Sequence, residues 1–438
     1  MNCSIVSVFP ELYTPFLSTG ILRKAIQKNM LTFDIHSFFE YVDKKERIDA
    51  PTFGPGPGML IKPEVVENFI TNQEEKCGRS VRIFFSPHGQ VVNQHILKKI
   101  IQQATPLNHM LFVAARYEGI DARVEDEYAD FILSVGQFVA MGGDLPAMLC
   151  VEALTRLIPG VLGNEESVKN DSFQTALVDY PEFTHPVVWH EKEVPEIIRS
   201  GDHEKIRNWR LLQATKRTVK HHFNWLRQQP LSKEIKSKIN NVMPKHYIGL
   251  LHNDIVVDHN GRVGHTSITS TDIHDIARSA RTYNIEHYFL ISELVDQQKI
   301  AQVLLDFWQE GSGVDYNNNR HQALQHVSVI DTLDAVLENI ERNAEKKPLI
   351  VVTSARMLEN NEIPTLSYDD HEILWESGRP ILLLFGTGKG ISEKIIKRAD
   401  FMLEPVVGLS EFNHLSVRSA VAIILDRLLG LHKQTIEK

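Results

Sequence analysis

Three glycine clusters and one basic run are the parts of this chain whose residue types and spacing could do chemistry. "SVGQFVAMGGDLPAM" (134–148) sets Gly136 and the pair Gly142–Gly143 around an apolar run, with Pro146 opening a helix. Such a loop offers bare backbone N–H and C=O groups to a flat polar ring and needs no particular side chain to do so. "FGPGPGML" (53–60) is a loop, rigid at Pro55 and Pro57 and permissive at its glycines. "LLLFGTGKGIS" (382–392) reads strand–glycines–helix, a fitting context for a nucleotide-like ligand. It is not a phosphate loop, because Lys389 is followed by Gly390 rather than a hydroxyl residue. Nor is it a dinucleotide fingerprint, since its glycines fall at 386, 388 and 390. A tight turn or a packing contact would use the same glycines, so pattern alone leaves ligand binding and packing both open.

The basic run must be set against the whole chain. Of 438 residues, 56 are acidic and 47 basic, for a formal charge of -9. A nucleic-acid partner therefore requires a local basic patch. Arg199, Lys205, Arg207, Arg210, Lys216, Arg217 and Lys220, with Trp209 and Trp225, supply one. A solvated helix face has the same composition. The chain is 42% hydrophobic and 24% charged, ordinary globular values, and its length suggests two or three domains. No apolar run approaches the ~18 residues of a membrane span. "MNCSIVSVFPELYTPF" reads as a first strand rather than a signal peptide. Cys3, Cys77 and Cys150 make neither a metal pattern nor a disulfide framework, so a cytoplasmic protein is expected.

The elements that must position these residues alternate. "IVSVF" (5–9), "VRIFF" (81–85), "HMLFVAA" (109–115) and "FILSV" (131–135) read as strands, with helices opening after Pro63 and over 95–104. That alternation predicts a mostly parallel α/β sheet. "LPAMLCVEALTRLI" (145–158) is apolar around most of its circumference and predicts a helix buried on several sides. A polar, turn-rich linker follows from about 163, then the basic helical module to about 240. A second α/β unit begins near 244, with "YIGLLHNDIV" (247–256) as its first strand. Its helix over 270–285 places Ile273, Ile276, Ala277 and Ala280 on one face, and an amphipathic helix closes the chain over 414–430.

The motifs "FGPGPGML", "FFSPHGQ", "ARYEGIDARV", "SVGQFVAMGGDLPAM", "TRLIPGVLGNEES", "NDSF", "YPEFTHP" and "EVPEIIRSGDHEKIRNWR" come in this order. As a series, from residue 1 to about 240, they closely resemble the bacterial tRNA (guanine-N1)-methyltransferase family, TrmD. The resemblance implies a deep trefoil-knotted α/β fold of the SPOUT class. It implies S-adenosylmethionine as cofactor, magnesium, a homodimer and tRNA as substrate. The implied reaction is methylation of N1 of the guanine 3′ to the anticodon, position 37, when another G precedes it. Val135, Gly136, Gln137, Phe138, Val139 and Ala140 would then contact the adenosyl moiety. Gly142, Gly143 and Pro146 would carry the chain past it, and Ser86, Pro87, Ala115 and Tyr117 would line the remainder. For catalysis the resemblance points to Asp171 as the base for the N1 proton, Arg156 as the cation for O6 and Glu118 as an organising carboxylate. Taken alone, each of these is more often a surface or capping residue.

The chain departs from the family pattern at Ala115, Gln137, Phe138, Met141, Asp144, Phe53 and Pro55. Ala115 adds a methyl where the family carries glycine. The C-terminal stretch 382–430, with "LEPVVG" and "NHLSVRSA", resembles the C-terminal half of a second SPOUT RNA methyltransferase. That implies a second S-adenosylmethionine pocket at Gly386, Gly388 and Gly390, with Leu403, Pro405, Leu415 and Ser416 nearby and Asn413 and Arg418 as polar candidates. The expected domains are 1–162, 163–240 and 244–438. The rival readings are a nucleotide-dependent enzyme built on the glycine turns, and a silent RNA-binding protein on a knotted scaffold.

Overall fold

The computed structural model describes residues 1–163, 171–356 and 363–433. The part of the expected linker at 164–170 lies outside the described residues. The chain divides into two compact units, Met1–Thr175 and Ala176–Lys438.

The first unit is built on five parallel strands: β1 (Asn2–Ser7), β2 (Thr32–Ser37), β3 (Val81–Val91), β4 (His109–Ala114) and β5 (Phe131–Ser134), in the order β2-β1-β4-β3-β5. Both sheet faces are covered, which is why the strands read as apolar runs without alternation. Ile5, Ile83 and Phe112 pack on one side and Val6, Phe84 and Val113 on the other. Helix α1 (Pro63–Cys77) starts at its proline, and α2 (Gln94–Leu107) is capped by Asn93, whose side chain accepts the Ile96 amide at 3.0 Å. Strand β3 runs further than "VRIFF", because its register against β5 shifts between Phe85 and Gln90. Both residues face Leu133, so "SPHG" is looped out of the ladder as a bulge.

Helix α3 (Asp144–Thr155) corrects the expectation of burial on several sides. Ala147, Cys150, Val151 and Leu154 are buried, but Leu145 is 70% exposed and Leu149 about half exposed. Positions 145, 149, 152 and 156 fall on one outward stripe, as the helical period dictates.

The second unit begins with the basic module. The expected single helical run is divided into Glu196–Arg199, α4 (His203–His221) and Phe223–Leu226. Gly201, at φ 73°, separates the first two. Asp202 caps α4 by accepting the Lys205 amide at 3.1 Å. Helix α4 buries Ala214, Thr215, Thr218 and Val219 and leaves Lys205, Arg207, Lys216, Arg217 and Lys220 outward. After α5 (Lys233–Val242) comes a seven-stranded parallel sheet: β6 (His246–Leu251), β7 (His287–Ile291), β8 (Val327–Ile330), β9 (Leu349–Thr353), β10 (Thr365–Leu366), β11 (Ile381–Gly386) and β12 (Phe401–Leu403). Its order is β8-β7-β6-β11-β9-β12-β10. Strand β6 stops at Leu251, short of the predicted 256. Asp254 takes a left-handed turn at φ 53°, and Ile255–Val256 join a small antiparallel hairpin with Val263–Gly264. Helix α6 (Ser270–Thr282) buries Ile273, Ile276, Ala277 and Ala280, the predicted stripe, and α7 (Val417–Leu429) closes the unit.

Candidate active site

In the first unit the predicted residues gather at the C-terminal ends of three adjacent strands. The bulge with Ser86 and Pro87 lies within β3, Ala115 and Tyr117 follow β4, and the loop from Val135 to Gly143 follows β5. Open parallel sheets bind ligands at this edge, because the loops there converge with their backbone groups unpaired. The chain passes itself closely at this point. The Gly143 amide donates to the Ala115 carbonyl at 2.7 Å. A Cβ on Gly143 would sit 2.9 Å from the Ala115 nitrogen and 3.0 Å from Ala114 Cα, so only glycine fits. A Cβ on Gly142 would meet the Arg116 side chain at 2.4 Å, and one on Gly89 the Ile132 carbonyl oxygen at 2.6 Å. The loop beyond is open: Gln137, Phe138 and Val139 are exposed, Met141 is 90% exposed, and Ala140 is half-buried. From 135 to 143 the loop, a glycine cradle, carries no charged side chain, so a ligand there would meet mainly backbone groups and apolar side chains.

A buried polar cluster that the sequence reading missed anchors the cradle. Asp144, 1% exposed, accepts the Ser7 hydroxyl at 2.5 Å, the Tyr13 hydroxyl at 3.1 Å and Arg116 Nε at 2.8 Å. Burial first, then the Asp144 charge, pushes the Tyr13 phenol upward, so it remains a donor. Arg116 Nη1 also donates to the Met141 carbonyl at 3.3 Å, and its guanidinium lies 4.9 Å over the Phe9 ring. Ser7, Tyr13, Arg116 and Asp144 thereby hold the Gly142–Gly143 pair from its two sides, at Met141 and at Asp144. The signal in the sequence was an acid directly after two glycines at a helix start.

Arg156 and Asp171 are brought together. Arg156 is the C-cap of α3, and its Nη2 donates to Asp171 Oδ2 at 2.5 Å. Both are partly exposed. Glu118 lies elsewhere, against the "FGPGPGML" loop. Its amide donates to the Met59 carbonyl at 3.0 Å, and a Cβ on Gly58 would meet its side chain at 2.3 Å. Tyr117, at φ 61°, turns the chain there and is half exposed. Near the cradle, Ser86 Oγ lies 2.6 Å from His88 Nδ1, and His88 Nε2 lies 3.4 Å from Glu125. Burial raises the Glu125 carboxyl. Among the described residues, no three His, Cys, Asp or Glu side chains group as a metal site.

The second unit repeats the arrangement. Gly386–Gly390 follow β11, Leu403 and Pro405 close β12, and both strands flank β9. Gly388 takes φ 58°, and a Cβ on Gly386 would lie 2.7 Å from Ile391 Cγ1, so the turn requires glycine at both. The Gly390 carbonyl accepts the Val256 amide at 3.0 Å. Beside it, beyond β6 and β7, His252 Nε2, Asn253 Oδ1 and Ser292 Oγ are buried with no hydrogen-bond partner. Buried polar atoms are rarely left so, and this edge therefore suits a polar ligand. Asn413 Nδ2 donates to the Ala355 carbonyl at 2.6 Å. Arg418 reaches Asp272 at 3.4 Å and Asp275 at 3.6 Å. Ser416 accepts the Ser419 amide as the cap of α7, and Leu415 is exposed.

Comparison with known proteins follows this division. A family model described as tRNA (Guanine-1)-methyltransferase TrmD matches residues 1–228. One described as SAM-dependent RNA methyltransferase matches residues 245–430. The chain is 34% identical over 436 residues to a tRNA (guanine-N(1)-)-methyltransferase of Oleidesulfovibrio alaskensis, covering 98% of this chain and 99% of that protein. It is 33% identical over 436 residues to the protein of that name in Nitratidesulfovibrio vulgaris, with the same coverage. A Pseudomonas aeruginosa protein of that name is 37% identical over 233 residues, 52% of this chain and 91% of its own length.

Proposed function

The chain belongs to the tRNA (guanine-N1)-methyltransferase family, with a second RNA methyltransferase domain, and from that premise we propose that it methylates N1 of guanine 37 in tRNA. The observation that carries this is the Arg156–Asp171 pair at 2.5 Å. On guanine, N1–H and O6 are adjacent, a donor beside an acceptor. A carboxylate and a guanidinium side by side present the complementary edge.

S-adenosylmethionine, when bound, supplies an electrophilic methyl group on its sulfonium. Asp171 would accept the N1 proton, and the N1 electron pair so freed would form the new N–CH3 bond as the S–CH3 bond breaks, its electron pair staying on sulfur in the departing thioether S-adenosylhomocysteine. Arg156 contacts Asp171 through one N–H, and its remaining donors can stabilise negative charge on O6 as it develops. Ala115, Val135–Ala140 and Gly142–Gly143 would hold the adenosyl group, with Ser86, Pro87 and Tyr117 closing the rim. Glu118, beside the 53–60 loop, would help organise the guanine; among the described residues no group of metal-binding side chains surrounds it to hold the magnesium that the resemblance implies.

We assign both units to the SPOUT class and the first to the trefoil-knotted form. The support is the passage of Gly142–Gly143 against Ala114–Arg116 and of Gly89 against β5. We assign a homodimer as well. Its support is the exposed apolar face of α3 at Leu145 and Leu149, with Phe138, Val139 and Met141 also exposed in the loop that leads into it. Arg156 lies on the same helical stripe as Leu145 and Leu149, so a second copy on that face would border the catalytic pair. The domain limits we propose are 1–162, 163–240 and 244–438. Gly386, Gly388 and Gly390 are assigned to a second cofactor pocket. The protein is assigned to the cytoplasm, where its tRNA is, and among the described residues no helix is long and apolar enough to cross a membrane.

The test incubates the protein with S-adenosylmethionine, magnesium and unmodified tRNA carrying G36 and G37, then maps methylated nucleosides by mass spectrometry. N1-methylguanosine at position 37 is expected. Chelation of magnesium should slow its formation. Methyl transfer only at other positions would sink the assignment of Asp171 and Arg156.

A further inference from the structure

The second unit carries two clefts that meet at Asn241. One, of about 400 Å³, is walled by Ile197, Trp209 and Leu212, with Lys205, Lys238 and Asn208 around them. The other, of about 600 Å³, lies where α5 passes the start of β6 and the end of α6. It is lined by Lys233, Lys236 and Lys245 and by the amides Asn240, Asn241 and Asn284. It opens at the N-terminal ends of the strands, at the opposite sheet edge from the Gly386–Gly390 turn, and so is separate from the cofactor pocket assigned there.

We propose that this larger cleft is an RNA-binding site that holds the sugar–phosphate backbone of the tRNA substrate at Lys233, Lys236 and Lys245. The proposal rests on the tRNA methyltransferase reading and adds a contact surface outside the basic helix α4.

Charge argues first. Among the described residues the one acidic side chain in the lining is Glu286, and Lys245 lies 2.7 Å from it. Lys233, Lys236 and Lys245 thus gather three ammonium groups at one cleft of a chain whose formal charge is -9. Lysine ammonium groups suit phosphate as point charges. His246, also in the lining, accepts Trp375 Nε1 at 3.1 Å, and burial keeps it neutral down to about 4. The lysines therefore carry the site's charge alone.

Shape and polarity argue next. A cleft of this volume takes a nucleotide-sized group. Each asparagine amide offers both donors and an acceptor, as base edges and ribose hydroxyls require. Continuity with the first cleft puts the Trp209 ring alongside, a flat face on which a base can stack. An acidic protein segment would use the lysines but would leave the amides and the indole without matching chemistry.

The test measures equilibrium binding of an unmodified tRNA transcript to the full chain across a range of KCl concentrations. The variant is Lys233→Gln, Lys236→Gln, Lys245→Gln, with fold checked by circular dichroism. Binding should weaken roughly tenfold, and the slope of log K against log salt should fall by about 2, since each phosphate contact contributes ~0.7–0.9. The triple lysine-to-arginine variant should retain both values, which separates lost charge from lost structure. Unchanged affinity and slope in a folded glutamine variant overturn the proposal, whether the cleft then takes an acidic protein segment or nothing. If instead the unsubstituted protein makes no N1-methylguanosine, the functional reading fails while the slope still reports on the cleft.

Discussion

Arg156 Nη2 lies 2.5 Å from Asp171 Oδ2, joining the C-cap of α3 to a residue fifteen positions further on. The two groups to which the proposed reaction gives complementary tasks, a base at N1 and a cation at O6, thus sit in contact with each other. A charge-assisted hydrogen bond of this kind fixes the orientation of both side chains. It also means that neither can be replaced without disturbing the other.

Asp171→Ala should therefore remove the proton acceptor and lower kcat for N1-methylguanosine formation by about 10²–10⁴-fold, the usual worth of a positioned base. Binding of S-adenosylmethionine, measured by calorimetry, should stay close to that of the unsubstituted protein, because Asp171 lies outside the glycine cradle. Full activity in this variant would disprove the assignment of the base.

Arg156→Ala should lower kcat by about 10²–10³-fold, as loss of a donor to developing charge does. Arg156→Lys should recover only part of that loss. An ammonium keeps the charge but lacks the planar fork that could serve Asp171 and O6 together. Single-turnover rates on one tRNA transcript would compare the three proteins, and a lysine variant equal to the original would refute the two-partner role.

Gly143→Ala and Gly142→Ala should separate sharply. The first places a methyl 2.9 Å from the Ala115 backbone nitrogen, which cannot move without breaking the 2.7 Å hydrogen bond from the Gly143 amide to the Ala115 carbonyl. The second meets Arg116 Cδ and Nε at 2.4 and 2.7 Å, so Arg116 must shift at the expense of its 2.8 Å bond to Asp144, while the backbone crossing itself stays in place. Overpacking of this kind costs about 1–3 kcal/mol, so Gly143→Ala should show the larger fall in Tm and the larger loss of cofactor affinity. Equal effects in a thermal-shift titration would count against the close passage.

The second unit should lose stability on acidification. Burial lowers His246, His252 and His287 from 6.5 to about 4. Between those values the unfolded chain binds protons that the folded chain does not. Stability is therefore full above about pH 6.5 and falls as the pH drops toward 4. Differential scanning calorimetry at about pH 7.5 and about pH 5 should show the transition of this unit moving down. An unchanged transition would mean these imidazoles are open to solvent.

The sequence carried the element pattern and the chemical types. Apolar runs without alternation gave parallel strands covered on both faces, and the helix over 270–285 buried the four residues its periodicity named. Glycine spacing excluded the phosphate-loop and dinucleotide patterns, and the ordered motifs identified the family. These features are local, written in composition, period and short spacing, and they can be read without knowing which strand lies beside which.

Contacts between distant residues came only with the tertiary structure. Asp144 reads as an ordinary helix-start acid until the sheet order brings Ser7, Tyr13 and Arg116 around it. The outward stripe of Leu145 and Leu149 was hidden because apolarity around a helix does not say which face the sheet covers. Strand order placed the three loops side by side, and the packing of α5 against the start of β6 made a cleft from Lys233, Lys236 and Lys245, which no sequence pattern had singled out. Burial, pairing and cavity shape depend on which residues far apart in the chain become neighbours, and that is settled by how the elements pack.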